Sequence, residues 1–252
     1  MRVLTLNLAH GRGRALHQAV LRKKQIEANL DRAAAVIVRE SPDVVALQEI
    51  DEPSAWSGRI DHVERIARHV GMSYAVRGTH NRRRWGAYGT VLLARRPFTE
   101  GLSVTFPHTP PTPAKGFVLG RVPLPDGQGW VDVVSIHLDF LRRRVRLAQV
   151  QQLVATLGRR SGPRILMGDF NCPWRGRDPS LRVLTAALDL AGFDCAVPGH
   201  CTFPLLRRRL DWVFASRGLR FVDYRTLPDR ISDHRAVVAE LAWDSAAEER
   251  PA

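Results

Sequence analysis

The sequence predicts an α/β fold in one domain, and three observations predict it. Short apolar runs alternate with helix-spaced segments along the whole chain. The runs VVALQEI (44–50) and RILMGDF (164–170) are almost unbroken in apolar residues, as in sheets covered on both faces. No linker or composition break divides the 252 residues. A chain of this length buries roughly three quarters of its unfolded surface and needs no disulfide or metal staple to fold.

VLTLNL (3–8) reads as a buried strand. Residues 25–40 place Ile26, Leu30, Ala33, Ala34, Ile37 and Val38 at helical spacing, and Ser41-Pro42 stops that helix. VVALQEI is the second strand, and residues 59–70 form a short helix ended by Gly71. TVLLAR (90–95), GFVLGRVPL (116–124) and WVDVVSIHL (130–138) are strands; PHTPPTPAKG (107–116) is a loop before the second of them. A helix over 141–158 ends at Gly158, RILMGDF is a strand, and a helix over 179–191 stops at Gly192. LDWVFAS (210–216), LRFVDYRTL (219–227) and AVVAELAW (236–243) complete the strands. The domain is expected over 1–243, followed by a polar, flexible tail over 244–252 (DSAAEERPA).

Hydrophobic residues at 44% and charged residues at 25% are ordinary for a globular protein. No apolar run approaches the ~20 residues of a membrane span, and the stretch before His10 is too short for a signal-peptide core. Cytoplasmic placement is therefore expected, with Cys172, Cys195 and Cys201 as reduced thiols, a Cys195–Cys201 bridge being the alternative. The formal net charge of +13 predicts a positive surface and an anionic partner, nucleic acid or acidic lipid.

Polar side chains at or just past strand ends carry the chemistry: Asn7, Glu49, His137, Asp169, Asn171, Asp211, Asp233 and His234. Strand ends are where such folds present reactive groups to a shared crevice. Glu49 ends a nearly unbroken apolar run, where an unpaired carboxylate is costly to bury. Asp169 and Asn171 are two apart and share a side of an extended chain, so together they can hold a water or an oxyanion. An Asp accepting from one nitrogen of His234 would fix its tautomer. His10, His17, His62, His69, His80 and His108 read as ordinary satisfied histidines.

The ordered set N…QE…SIHL…GDFN…LDWVF…SDH resembles the endonuclease/exonuclease/phosphatase superfamily, from Val3 to Leu241. The resemblance implies a four-layer α/β sandwich, two packed mixed sheets flanked by helices, of the DNase I-like kind. It also implies a divalent-metal-dependent phosphoesterase with Mg²⁺ or Mn²⁺ on Asn7 and Glu49 and Asp233 nearby. Asp169 would orient or deprotonate the attacking water, Asn171 and His137 would contact the phosphate, and His234 held by Asp211 would stabilise charge or exchange a proton. Carboxylates with an amide suit hard Mg²⁺, and the absence of a Cys/His quartet argues against zinc. LNLAHGRG departs from the WNVNG-like opening of abasic-site nucleases, and Gly89-Thr90 stands where many relatives carry Gly-Asn. GRGRALHQAVLRKKQ (11–25) is similar to the basic loop of small bacterial members, and Asp51 follows QEI as in sphingomyelinase-like and deadenylase-like branches.

Arginine triplets surround these motifs. Arg82, Arg83 and Arg84 lie in an expected loop with Trp85 and Tyr88, able to bind phosphates and bases or to seat on an anionic membrane interface. Of Arg142, Arg143 and Arg144, one is expected to face the cleft, with Arg142 the substrate-binding candidate. Arg209 precedes the proposed dyad, and Trp174 could line the cleft or pack in the core. The expected function is a monomeric phosphodiesterase acting on nucleic acid; the alternatives are a lipid or small phosphate ester as substrate, or a catalytically silent binding module.

Overall fold

The computed structural model describes residues 1–13, 15, 17, 20–124 and 129–243. The expected tail over 244–252 and parts of the basic segment 11–25 lie outside them. In chain order the elements are β1 (Arg2–Asn7), α1 (Lys23–Glu40), β2 (Val44–Asp51), α2 (His62–Val70), β3 (Tyr74–Arg83), β4 (Gly86–Ala94), β5 (Glu100–Thr105) and β6 (Gly116–Pro123). β7 (Trp130–His137), α3 (Arg143–Leu157), β8 (Arg164–Asp169), α4 (Ser180–Ala187), β9 (Leu190–Gly192), β10 (Asp211–Ser216), β11 (Leu219–Thr226) and β12 (Val237–Trp243) follow.

They form two six-stranded sheets, ordered β11-β12-β1-β2-β4-β3 and β5-β6-β7-β8-β10-β9. Each sheet is antiparallel except for one central parallel pair, β1/β2 in the first and β7/β8 in the second. Each pair is joined by a helix, as a parallel connection requires. Three apolar layers hold four structural layers together. Ile26, Leu30 and Ile37 of α1 and Val63 and Ile66 of α2 cover the outer face of the first sheet. Val3, Val44, Leu92, Val133, Ile165 and Val213 fill the space between the sheets. Leu153 and Leu157 of α3 and Leu181 and Leu184 of α4 cover the second sheet through Ile136, Leu166 and Phe214. Burial on both faces explains why β2 and β8 read as continuous apolar runs.

Several elements differ from the sequence reading. Residues 74–83 form a strand, so Arg82 and Arg83 belong to a β3–β4 hairpin whose turn is Arg84-Trp85. Its exposed, weakly alternating pattern carries little strand signal. β5 was hidden for the same reason, being half exposed at a sheet edge. The fourth helix ends at Ala187, because Asp189 turns left-handed (φ 49°) and the chain enters β9. The second helix starts at His62, where the Asp61 carboxylate accepts the Glu64 N–H at 2.9 Å. All three cysteines are free, so the Cys195–Cys201 bridge is not formed. Among the described residues no helix is long and apolar enough to cross a membrane.

Candidate active site

The carboxyl ends of both parallel pairs open on one side of the molecule. In register, Asn7 stands beside Gln48 and His137 beside Asp169. The buried Gln48 amide donates to Ser135 Oγ at 3.1 Å, tying one sheet to the other just behind these ends. Glu49 occupies a bulge between Gln48 and Ile50 with a left-handed backbone (φ 49°), which turns its carboxylate out of the ladder. Gly168 (φ 145°) could be no other residue: a Cβ there would lie 2.0 Å from the Ile136 carbonyl. Asn7, Glu49, His137, Asp169, Asn171, Asp233 and His234 line one cleft of about 350 Å³.

Asp169 is the hub. It accepts from Asn7 Nδ2 at 3.0 Å, from the Asn171 backbone N–H at 2.9 Å and from Asn171 Nδ2 at 3.2 Å. His137 Nε2 lies 3.6 Å from it and His234 Nε2 3.8 Å. Burial pushes the Asp169 carboxyl up, against the pull of His234. Asp211, the first residue of β10, is fully buried beneath His234 and accepts its Nδ1–H at 2.8 Å. Burial alone would lower the pKa of His234; the Asp211 and Asp169 carboxylates reverse that and raise it. His137 behaves oppositely, held well below its ordinary value by burial and by Lys115. One cleft therefore holds two buried imidazoles of opposite proton affinity, the arrangement that separates acid from base roles.

The structure adds Lys115, His10 and Arg12 to these residues, the first two from segments that the sequence does not mark. Buried Lys115, from the end of the Pro-rich loop, donates to His137 Nε2 at 3.0 Å and Glu49 Oε1 at 3.4 Å. His10, read as an ordinary histidine, lies 3.6 Å from Glu49 Oε2 and 2.7 Å from Asp51 Oδ1. Burial disfavours its charged form, but Asp51 and Glu49 outweigh that and raise its pKa. The same cations hold Glu49 well below the usual carboxylate range, although its burial acts the other way. Arg12 pairs with Asp233. No spacing rule marks Lys115 or His10, whereas Arg12 falls in the basic segment 11–25 that resembles the active-site-side loop of small bacterial members.

The arginine and tryptophan candidates lie outside this cleft. Arg82, Arg83 and Arg84 line a separate groove with Arg59 and Trp85 at the hairpin tip, and Arg82 reaches Glu52 at 3.2 Å. None of Arg142, Arg143 and Arg144 lines the cleft, a correction to the expectation for that triplet. Arg142 reaches the Thr109 carbonyl and Arg143 the Arg177 carbonyl, because the N-terminus of α3 is tied to neighbouring loops. Trp174 packs against Trp212 and Phe214, and it borders a second concavity with Arg209.

The donor set fits a hard divalent ion. Glu49, Asp169 and Asp233 offer carboxylate oxygens within one cleft, and Asn7 Oδ1 keeps a lone pair beyond the one that accepts the Ala9 N–H at 2.9 Å. The ligand atoms of Asp169, Asp211 and His234 also lie within 4.8 Å of one another.

A structure titled endonuclease/exonuclease/phosphatase from Beutenbergia cavernae is similar at 24% identity, covering 96% of this chain and 71% of that one, with a TM-score of 0.73. The mannosyl-6-phosphatase of Bacteroides thetaiotaomicron is similar at 17% identity over 96% and 100% of the two chains, TM-score 0.74. Sphingomyelinase C from Streptomyces griseocarneus is similar at 18% identity over 95% and 98%, TM-score 0.68. At these identities the likeness is one of fold. Comparison with curated proteins gave no match. The model of the endonuclease/exonuclease/phosphatase family matches residues 4–234, from the first strand through His234 of the cleft, and the chain belongs to that family.

Proposed function

We propose that this protein is a divalent-metal-dependent phosphodiesterase whose substrate is nucleic acid. The observation that carries the reading is the cleft that gathers three carboxylates, two amides and two oppositely tuned imidazoles, set in a chain of net charge +13. Asn7 and Glu49 would hold Mg²⁺ or Mn²⁺, with Asp233 beside them, and the ion would neutralise phosphate charge. Asp169, raised by burial and fixed by three N–H donors, would orient and deprotonate the attacking water. His234, which holds its proton, stabilises the phosphate or protonates the leaving oxygen rather than acting as base. His137, neutral beside Lys115, and Asn171 position the phosphate oxygens. The arginine groove at the hairpin tip lies beyond Asp51, at the end of the first sheet where the cleft opens, and supports a polyanion.

A second reading has one supporting observation. Phe140 and Leu206 are 56% and 55% exposed and line the cleft, as suits a lipid or other apolar phosphate ester. Activity with Mg²⁺ or Mn²⁺ on single- and double-stranded DNA, RNA, bis-p-nitrophenyl phosphate, a sugar phosphate and phospholipid vesicles separates the two. Hydrolysis of oligonucleotides is expected; activity confined to phospholipid or to phosphomonoesters would overturn the nucleic-acid reading.

A further inference from the structure

Next to the cleft lies a second concavity of about 270 Å³. Arg175, Arg207, Arg208 and Arg209 line it, with no Asp or Glu in its wall, and Arg208 also lines the catalytic cleft. Arg175, Arg207 and Arg208 are exposed. Arg209 differs, being only 7% exposed. Its guanidinium carbon sits 3.9 Å from the Trp212 ring centroid and 4.7 Å from that of Tyr224. Nη1 makes a long bond to the Asp194 carbonyl at 3.4 Å. Nε and Nη2 are buried and meet no acceptor in hydrogen-bond geometry among the described residues, the Tyr224 hydroxyl being the polar group that interacts with the guanidinium.

A purely structural arginine would not look like this. Aromatic faces offset part of the cost of burying the charge, but they accept no in-plane N–H. Buried donors left bare are expensive, and three further like charges converge on the same wall. An anion resolves both defects at once: two phosphate oxygens can take parallel N–H donors from one guanidinium fork.

We propose that this concavity is a phosphate subsite, with Arg209 as its base and Arg175, Arg207 and Arg208 as its rim. Through the shared Arg208 it takes a phosphate flanking the one that is cleaved. That the occupant is a backbone phosphate of the same strand rests on the nucleic-acid reading above; that the concavity binds phosphate does not.

Two measurements test it. Inorganic phosphate is titrated into ¹⁵N-arginine-labelled protein, with the Arg209 Nε–Hε resonance identified by its loss in Arg209→Lys. A saturable shift is expected. In the doubly exchanged Arg175→Gln/Arg207→Gln protein, whose changes are exposed and whose fold is checked by circular dichroism, half-saturation should need about tenfold more phosphate. The second measurement is the ratio of KM for a ten-nucleotide strand to KM for bis-p-nitrophenyl phosphate, which has no flanking phosphate. It should rise by about tenfold in the same variant. A shift with no oligonucleotide hydrolysis keeps the subsite and removes the nucleic-acid reading. Oligonucleotide hydrolysis with an unchanged KM ratio, or an Arg209 resonance indifferent to phosphate, overturns the subsite.

Discussion

Asp211→Asn tests the buried pair at the back of the cleft. The exchange keeps shape and removes the charge that His234 Nδ1 faces at 2.8 Å. Removing one partner of a buried ion pair costs about 3–5 kcal/mol, and a retained neutral hydrogen bond gives back about 1 kcal/mol. A loss of about 2–4 kcal/mol of stability follows. Its pH dependence has a definite sign. A raised imidazole pKa contributes stability that is fully present below the unfolded value of 6.5 and disappears as pH rises through the higher folded value. Urea denaturation of the metal-free protein should therefore show the largest wild-type advantage near about pH 6, shrinking on the alkaline side. Catalytically, an amide nitrogen facing Nδ1 favours the wrong tautomer, and kcat on bis-p-nitrophenyl phosphate should fall by about 10³-fold to 10⁴-fold. Combined with His234→Ala, it should do little further harm beyond His234→Ala alone. Additive losses in the double variant, or a stability difference flat with pH, would refute a coupled pair.

Glu49→Gln keeps the bulge and removes the charged oxygen; calorimetry should show Mg²⁺ affinity weakened roughly tenfold or more with the circular dichroism spectrum unchanged. Replacing Arg82, Arg83 and Arg84 by Ala should lower the salt slope of oligonucleotide binding by about 1.5–2, the value for two phosphate contacts, because Arg82 is partly engaged by Glu52. Asp132, buried in β7, accepts from Arg121 at 2.8 Å and Arg160 at 2.7 Å. Burial acts against its charge, but these arginines hold its pKa below the ordinary 3.8. Asp132→Asn should cost about 2 kcal/mol at neutral pH. That difference should fade as pH drops through the depressed pKa; a difference that grows in acid would contradict the assignment.

The parts of the site that were legible in sequence share one cause. Asn7, Glu49, His137 and Asp169 each follow a run that both faces of a sheet must bury, so a polar residue there has to mark a strand end or, at Glu49, a bulge. Lys115 and His10 reach the Glu49 carboxylate from loops, and a loop's path is set by what it packs on rather than by its own periodicity. Arg209 shows the limit from the other side. It adjoins Asp211 in sequence, yet the left-handed turn at Arg207 (φ 52°) and the Phe203–Arg208 bridge fold the segment back, so its guanidinium borders a neighbouring concavity. Strand edges such as β3 and β5 escaped because half-solvated backbone tolerates almost any alternation.

The pairing of β1 with β12 sets when the cleft can be completed. Arg2 lies opposite Glu240 and Thr5 opposite Val237, so the first strand waits for the last before its second ladder can form. A chain emerging from a ribosome presents β1 with that edge bare until the final strand is made, a slow and aggregation-exposed interval of the kind that high sequence separation imposes. Asp233 and His234 immediately precede β12, so the proton-holding imidazole is delivered to Asp211 by the strand that closes the first sheet. A nascent or C-terminally clipped chain would thus carry a partly assembled cleft without His234 seated on Asp211, and the cleft would be completed only with topological closure.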